Sequence, residues 1–295
     1  MEVREIDLAT FRNFAPSPDI VFNSADFNRL NESKAEKVVA LAAFEDEKIV
    51  CAQIFGLKKG VWRAPFSAPF SSLTVKSGNS ENIVNSFYSS VSKYFAEPLR
   101  LVWPAPFYPS PAPPESSTTV NEYNYHYPLS RFAAYEQYLS RSGRYNHHRA
   151  LKHNFSFFKT DDINRTYSII AENRKAMGYP LAMSLNQVQD TIKIVHADFF
   201  VMTLDGKDVA AAMLFHTAPG IVQVIYWGDL PEARHARAMN HLAWQVFSWY
   251  AENRRDISIV DIGPASTDGI LNEGLSQFKL SIGCIETLKP TITIQ

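Results

Sequence analysis

Cysteine is nearly absent: Cys51 and Cys284 are the only two in 295 residues. That excludes a disulfide scaffold and any zinc site built from cysteine alone. A surplus of one charge is missing as well. The 29 basic and 30 acidic residues leave a net charge of −1, which argues against a polybasic nucleic-acid binder or an acidic tail protein and leaves room only for a local basic patch. No apolar run is long enough for a bilayer. The uncharged stretch from Val209 to Gly228 is interrupted by His216, Pro219, Gly220 and Gln223, which read as a hairpin turn and a polar position. The start of the chain, Met1 to Asp7, is charged and has no apolar core, so no signal peptide is expected and the expected location is the cytoplasm. What the chain does contain is core material. Hydrophobic residues make up 46% and charged residues 20%, enough for one large domain or two ordinary ones.

The sequence repeats its own plan. Phe44 to Phe55 and Leu204 to Phe215 each read as two strands around a charged turn, and Gly60 and Gly220 mark the following turn. A third strand follows in each half, Val61–Ala64 and Ile221–Trp227. An amphipathic helix comes next, with Ile83, Phe87, Val91 and Tyr94 on one face in the first half and Met239, Leu242, Val246 and Trp249 in the second. Short apolar strands close each unit at Leu99–Trp103 and Ile257–Ile262. Strands joined by tight turns form an antiparallel meander, whereas the helix is long enough to cross over to a parallel neighbour. Asp205-Gly206 is a strong hairpin turn, and Ser184 with Gln187 predicts a capping box. The Pro-rich segment from Phe107 to Ser117 predicts an exposed loop, and Tyr123–Leu129 a last strand of the first half. The expected domains are residues 1–128 and 129–295. The expected class is α/β (α+β), each half a mixed, mostly antiparallel sheet flanked by helices.

Three stretches carry a resemblance. They are Arg144 to Lys152, an arginine-led helix; Tyr226-Trp227-Gly228 followed after a helix by Asp261-Ile262-Gly263; and Asn272 to Gly283, with Phe278-Lys279 and a closing glycine. In this order they resemble the FemABX aminoacyltransferases and their relatives of the Gcn5-related N-acyltransferase (GNAT) fold, present here in tandem. The resemblance covers nearly the whole chain and is strongest from Arg144 onward. It implies an acyltransferase, moving an acyl or aminoacyl group to an amine acceptor such as a nucleotide-linked cell-envelope precursor. Aminoacyl-tRNA or acyl-coenzyme A would be the donor, with no tightly bound cofactor. The sequence departs from the fold's coenzyme A cradle. The loop Pro231 to Ala238 has no glycine, and the corresponding Ser71 to Ser80 has only Gly78. The long helical arm of some FemABX members also has no counterpart.

The resemblance implies that Lys279, beside Phe278, stabilises the negative charge that grows on the acyl group, a task suited to an ammonium in a dry cleft. By helical spacing alone, Leu271, Leu275 and Phe278 form that helix's buried stripe and Lys279 borders it. In the fold implied, two strands part at a cleft, with Tyr226, Trp227 and Gly228 on one wall and Asp261, Ile262 and Gly263 on the other. The glycines would allow close approach, and Asp229 or Asp261 would orient the amine or take its proton. Arg174 and Tyr179 resemble the family's acceptor-facing helix end. Gln137 to Thr160 contains no acid and carries Arg141, Arg144, Arg149, Lys152 and Lys159, which suits a phosphate-rich partner, tRNA among them, or a solvated helix face. Adjacent His147 and His148 point to different sides of a helix, so no metal site is expected. Trp62, Phe66, Phe70 and Trp103 can line an acceptor groove or fill a core. The competing readings are a coenzyme-A-dependent N-acetyltransferase, weakened by the missing glycines, and a non-catalytic protein that keeps the GNAT fold.

Overall fold

The computed structural model describes residues 1–76, 80–115 and 118–294. Gly78, the one glycine of the first crossover loop, lies outside them. Contacts divide the chain into two compact units. One comprises residues 1–123, 268–270 and 288–295, the other 124–267 and 271–287.

The first unit opens with β1 (Glu2–Ile6), α1 (Leu8–Phe14) and α2 (Ala25–Leu30). Then come β2 (Lys37–Glu45), β3 (Lys48–Lys58), β4 (Val61–Ala64), the short β5 (Thr74–Val75), α3 (Ser80–Tyr94) and β6 (Leu99–Val102). The turns fix the meander. Asp46 and Glu47 both take left-handed backbone, with φ of 46° and 58°, as does Lys59-Gly60 with 51° and 70°. Two such residues in a row make the tight turn that matches strand twist. β2 pairs antiparallel with β3 and β3 with β4, and the crossover through α3 returns β6 parallel to β4. Val84, Phe87, Tyr88 and Val91 of α3 pack with Leu41, Phe55, Trp62 and Trp103. The buried face is shifted from the expected one: Tyr94 is exposed and its hydroxyl donates to Glu5. Trp62, Phe66, Phe70 and Trp103 are all buried. They fill cores and do not line a groove.

β7 (Thr118–Pro128) leads into the second unit. It continues with α4 (Tyr135–Tyr138), α5 (Arg141–Ala150), β8 (Phe155–Lys159), α6 (Ile163–Met177) and α7 (Leu185–Thr191). β9 (Ala197–Leu204), β10 (Lys207–Ala218) and β11 (Ile221–Asp229) form the meander, α8 (Ala238–Asn253) the crossover and β12 (Ile259–Pro264) the parallel strand. A small hairpin, β13 (Ser266–Thr267) and β14 (Ile270–Leu271), precedes α9 (Glu273–Ser281) and β15 (Ile285–Ile294). The strand order here is β7-β12-β11-β10-β9-β8. β8 is a strand the sequence does not predict, because Phe155–Lys159 falls within the acid-free basic stretch from Gln137 to Thr160, which suits a helix face. Asp205-Gly206 makes the expected turn, and Ser184 and Gln187 close a full capping box on α7. Both units therefore run through meander, crossover helix and parallel strand in the same succession.

Candidate functional site

The candidate site lies where β11 and β12 part. They pair in parallel only at Ile221–Ile259, Val222–Val260 and Gln223–Asp261. Past this point β11 runs on to Asp229, held by β10 on its other side. Asp261 sits at the fork and is 1% exposed. Its Oδ1 accepts from Asn124 Nδ2 and from the Gly263 amide, both at 2.9 Å, and its Oδ2 accepts from Gln223 Nε2 at 2.9 Å. The carboxylate thus ties β7, β11 and β12 together and faces into the protein. Gln223, a polar residue inside the apolar β11, and Asn124 of β7 are the side chains that meet it.

Lys279 reaches the same strand end from α9. It is 3% exposed. Its Nζ donates to the carbonyls of Ile262 (2.9 Å), Gly263 (2.8 Å) and Pro264 (2.9 Å) and lies 5.4 Å from the Tyr125 ring centre. An ammonium has three protons, and these three bonds take them. A contact to a growing oxyanion would require one of them to be given up. Gly263, with φ of 72°, supplies the left-handed turn that lets three successive carbonyls face one nitrogen, and space is open where a Cβ would stand.

This arrangement overturns the helical stripe expected for α9. Ser276 and Lys279 are its buried side chains, while Leu271 and Leu275 are exposed, Leu275 at 39%. The polar pair wins the inner face because it has partners there: Ser276 Oγ meets Tyr125 Oη at 2.7 Å, and Lys279 meets the strand end. Phe278 is half-buried and touches the edge of Trp227, ring centres 6.4 Å apart. These two aromatics wall the opening.

The other residues of β11 have distinct surroundings. Tyr226 is buried, and its hydroxyl accepts from the amides of Ala182 and Met183. Burial pushes its pKa up. The Arg174 guanidinium lies 5.5 Å from its ring centre, so these two site candidates do meet. Tyr179 is exposed just beyond the left-handed Gly178 that ends α6. A side chain at Gly228 would overlap Asn173, so this glycine admits α6 against the strand. Asn173 Nδ2 also donates to the Asp229 carbonyl at 2.7 Å. In the sequence Asn173 carries no signal beyond its place beside Arg174. Burial pushes the Asp229 carboxyl up, against the pull of Arg234 at 3.7 Å.

Arg144 and Arg149 lie on the exposed side of α5, with Arg144 donating to the Glu136 carbonyl. His147 is buried against Tyr135 and Trp244, while His148 is exposed beside Glu136. Gly143 is the only residue type that fits its place on α5, since a Cβ there would overlap the Ser281 carbonyl of α9. In the first unit, a void of about 10 Å³ lined by the polar Asn23, Gln53, Ser71 and Ser72 and by the apolar Phe11, Phe22 and Ile54 has room for about one water. It is too small for a substrate.

The chain has the mixed, mostly antiparallel fold of the FemABX-like and Gcn5-related acyltransferases. Among solved structures, FemX matches with a TM-score of 0.66 at 11% identity, over 99% of this chain and 96% of its own. The C-terminal domain of a putative lysylphosphatidylglycerol synthetase from Agrobacterium fabrum matches with a TM-score of 0.60 at 13% identity, covering 97% and 92%. A tandem GNAT protein from the clavulanic acid biosynthesis pathway gives 0.57 at 11%, covering 99% and 98%. At these identities the likeness is one of fold. No protein-family model and no curated protein matches the sequence. Among the described residues, no helix is long and apolar enough to cross a membrane.

Proposed function

We propose that this protein transfers an acyl or aminoacyl group to an amine acceptor at the opening between β11 and β12. The observation that carries this reading is the parting of the two strands after Gln223 and Asp261. Backbone groups at a strand edge can hold an acyl carbonyl in place. Trp227 and Phe278 offer flat apolar walls that exclude water. Asp229 is better suited than Asp261 to accept the amine's proton. Both Asp261 oxygens are engaged by neighbours, and a carboxyl raised by burial is a stronger base. Lys279 acts as a positioning residue that holds the strand end in shape, and Arg174 and Tyr179 border the acceptor side.

For the donor, the exposed arginines of α5 favour a phosphate-rich carrier such as aminoacyl-tRNA. Coenzyme A is the second choice. The loop that would cradle its pyrophosphate is a 3₁₀ turn, Pro231–Ala236. The amides of Ala233, Arg237, Asn240 and His241 already donate to carbonyls of the loop itself, which leaves few for an anion. A nucleotide-linked envelope precursor is the acceptor we favour.

The test is a ligand panel of aminoacyl-tRNA, acetyl-coenzyme A and nucleotide-linked peptidoglycan precursors, read by thermal shift and by mass spectrometry of products. A true ligand at about 100 times its dissociation constant should stabilise by about 2.7 kcal/mol. Product formed with wild type and lost in Asp229→Asn supports the reading. No product from any donor, with binding retained, would make the chain a non-catalytic binding protein.

A further inference from the structure

A second cluster lies in the second unit, on the side of the meander that packs on α8. His196 immediately precedes β9 and Asp198 is its second residue; two apart in extended chain, their side chains emerge on one face. Asp198 is registered with Leu214 of β10, and the His216 amide donates to the His196 carbonyl. His216 therefore stands beside His196 on that same face, ring centres 4.3 Å apart. Asp198 has no exposed surface. Its Oδ2 lies 2.7 Å from His216 Nε2 and accepts from Tyr250 Oη of α8 at 2.7 Å. Its Oδ1 lies 4.0 Å from His196 Nε2. One ligand atom from each residue falls within 4.8 Å of the others. The cluster is separate from the Asp229 end of β11: Asp229 pairs with Ala210 of β10, and from there to His216 is roughly 20 Å along an extended strand. His216 itself pairs with Val222, next to Gln223 at the fork, but its side chain turns to His196 and Asp198 and not to Asp261.

We propose that His196, Asp198 and His216 form a binding site for a first-row transition cation of the zinc class. Two imidazoles and a carboxylate are the donor set such ions select over magnesium or calcium. The arrangement has what a cation site requires. Its carboxylate is held from behind by Tyr250, as ligating carboxylates are supported by an outer hydrogen bond. Its entrance is open, because the His196 side chain is 62% exposed. A cation is already stable at this locus, since the Lys159 ammonium sits 2.5 Å from Asp198 Oδ1. Lys159 is a third exposed, and its flexible stem can withdraw to solvent. The lysine and the metal would then be alternative occupants of one anionic position. This proposal does not depend on the acyltransferase reading.

The experiment is calorimetric titration of tag-free protein with Zn²⁺, together with the visible spectrum of added Co²⁺. One ion per chain and a spectrum of Co²⁺ with nitrogen ligands are expected in wild type. His196→Ala, at an exposed side chain that folding does not need, should lose the spectrum, as should His216→Ala. Tyr250→Phe should weaken binding about 10- to 100-fold. Lys159→Met should tighten it, because the competing cation is gone; a structural ion-pair network with no metal role predicts no such gain. Circular dichroism confirms the fold of each variant. Absence of Zn²⁺ binding in wild type overturns the proposal. So does an affinity unchanged in both histidine variants, or weaker binding in Lys159→Met.

Discussion

Lys279 shows how a residue's neighbours decide what its substitution does. Three backbone carbonyls point at its nitrogen. Lys279→Met removes the donor and leaves those carbonyls without it, and a buried acceptor left unsatisfied costs about 1–3 kcal/mol. The variant should therefore melt lower and also lose turnover, since the strand end it holds would relax. Melting curves beside an acyl-transfer assay check this; loss of turnover at unchanged stability would restore the direct oxyanion role implied by the resemblance. Gly228 gives a second case. Gly228→Ala must displace Asn173, and overpacking of this kind costs about 1–3 kcal/mol. The double variant with Asn173→Ala should recover part of the loss, a coupling that denaturant titration of the four proteins measures. Neither neighbour was visible in the sequence, because Asn173 and Gly228 meet only when α6 lies on β11.

At the scale of elements, local rules were readable where local chemistry decides. The meander turns, the capping box on α7 and both crossover helices follow from residues close in sequence. For α9 helical periodicity gives the wrong face, because it assumes that the apolar side goes inward. Here the inner neighbours are a row of carbonyls and Tyr125, so Ser276 and Lys279 turn in and the leucines turn out. This makes a sharp prediction. Leu275→Gln should change stability by less than about 0.5 kcal/mol, the range of surface substitutions. At a buried position the same change would instead cost about 1–3 kcal/mol or more, because it carries an unpaired amide into the core. Urea titration distinguishes the two. β8 escaped notice for a related reason: its Phe155, Phe157 and Lys159 gain a strand's shape from pairing with β9, which no window of sequence records.

Across the whole molecule, acid should act through a buried histidine. His241 of α8 is buried between Phe155 and Trp244, and burial pushes its pKa down to about 4. Gln245 Nε2 faces its Nε2 at 3.2 Å. In the unfolded chain the same ring titrates near 6.5. Between these values the unfolded chain takes up a proton that the folded chain refuses, so stability falls as pH drops from about 6.5 to about 4. A shift of this size corresponds to about 3 kcal/mol at most. His241→Gln should make that limb of a stability-versus-pH curve shallower, the remainder coming from buried His126 and His147, whose pKa burial also lowers; denaturant titration at each pH measures it. Asp198 works in a lower window. Burial alone would raise its carboxyl, but the hydrogen bonds with His216 and Tyr250 and the ion pair with Lys159 outweigh it and hold the group well below the usual range. Its contribution is full above about pH 4 and fades only in strong acid.

The edge contact between Trp227 and Phe278 has an optical consequence. The indole is half-buried at the opening, so its emission depends on whether water or a ligand lies against it. A molecule entering there should shift and quench that emission. Trp227→Phe, which keeps an aromatic wall, would silence this signal and leave those of Trp62, Trp103, Trp244 and Trp249. The difference spectrum between the two proteins would then report occupancy of the opening directly, before any donor or acceptor has been shown to react.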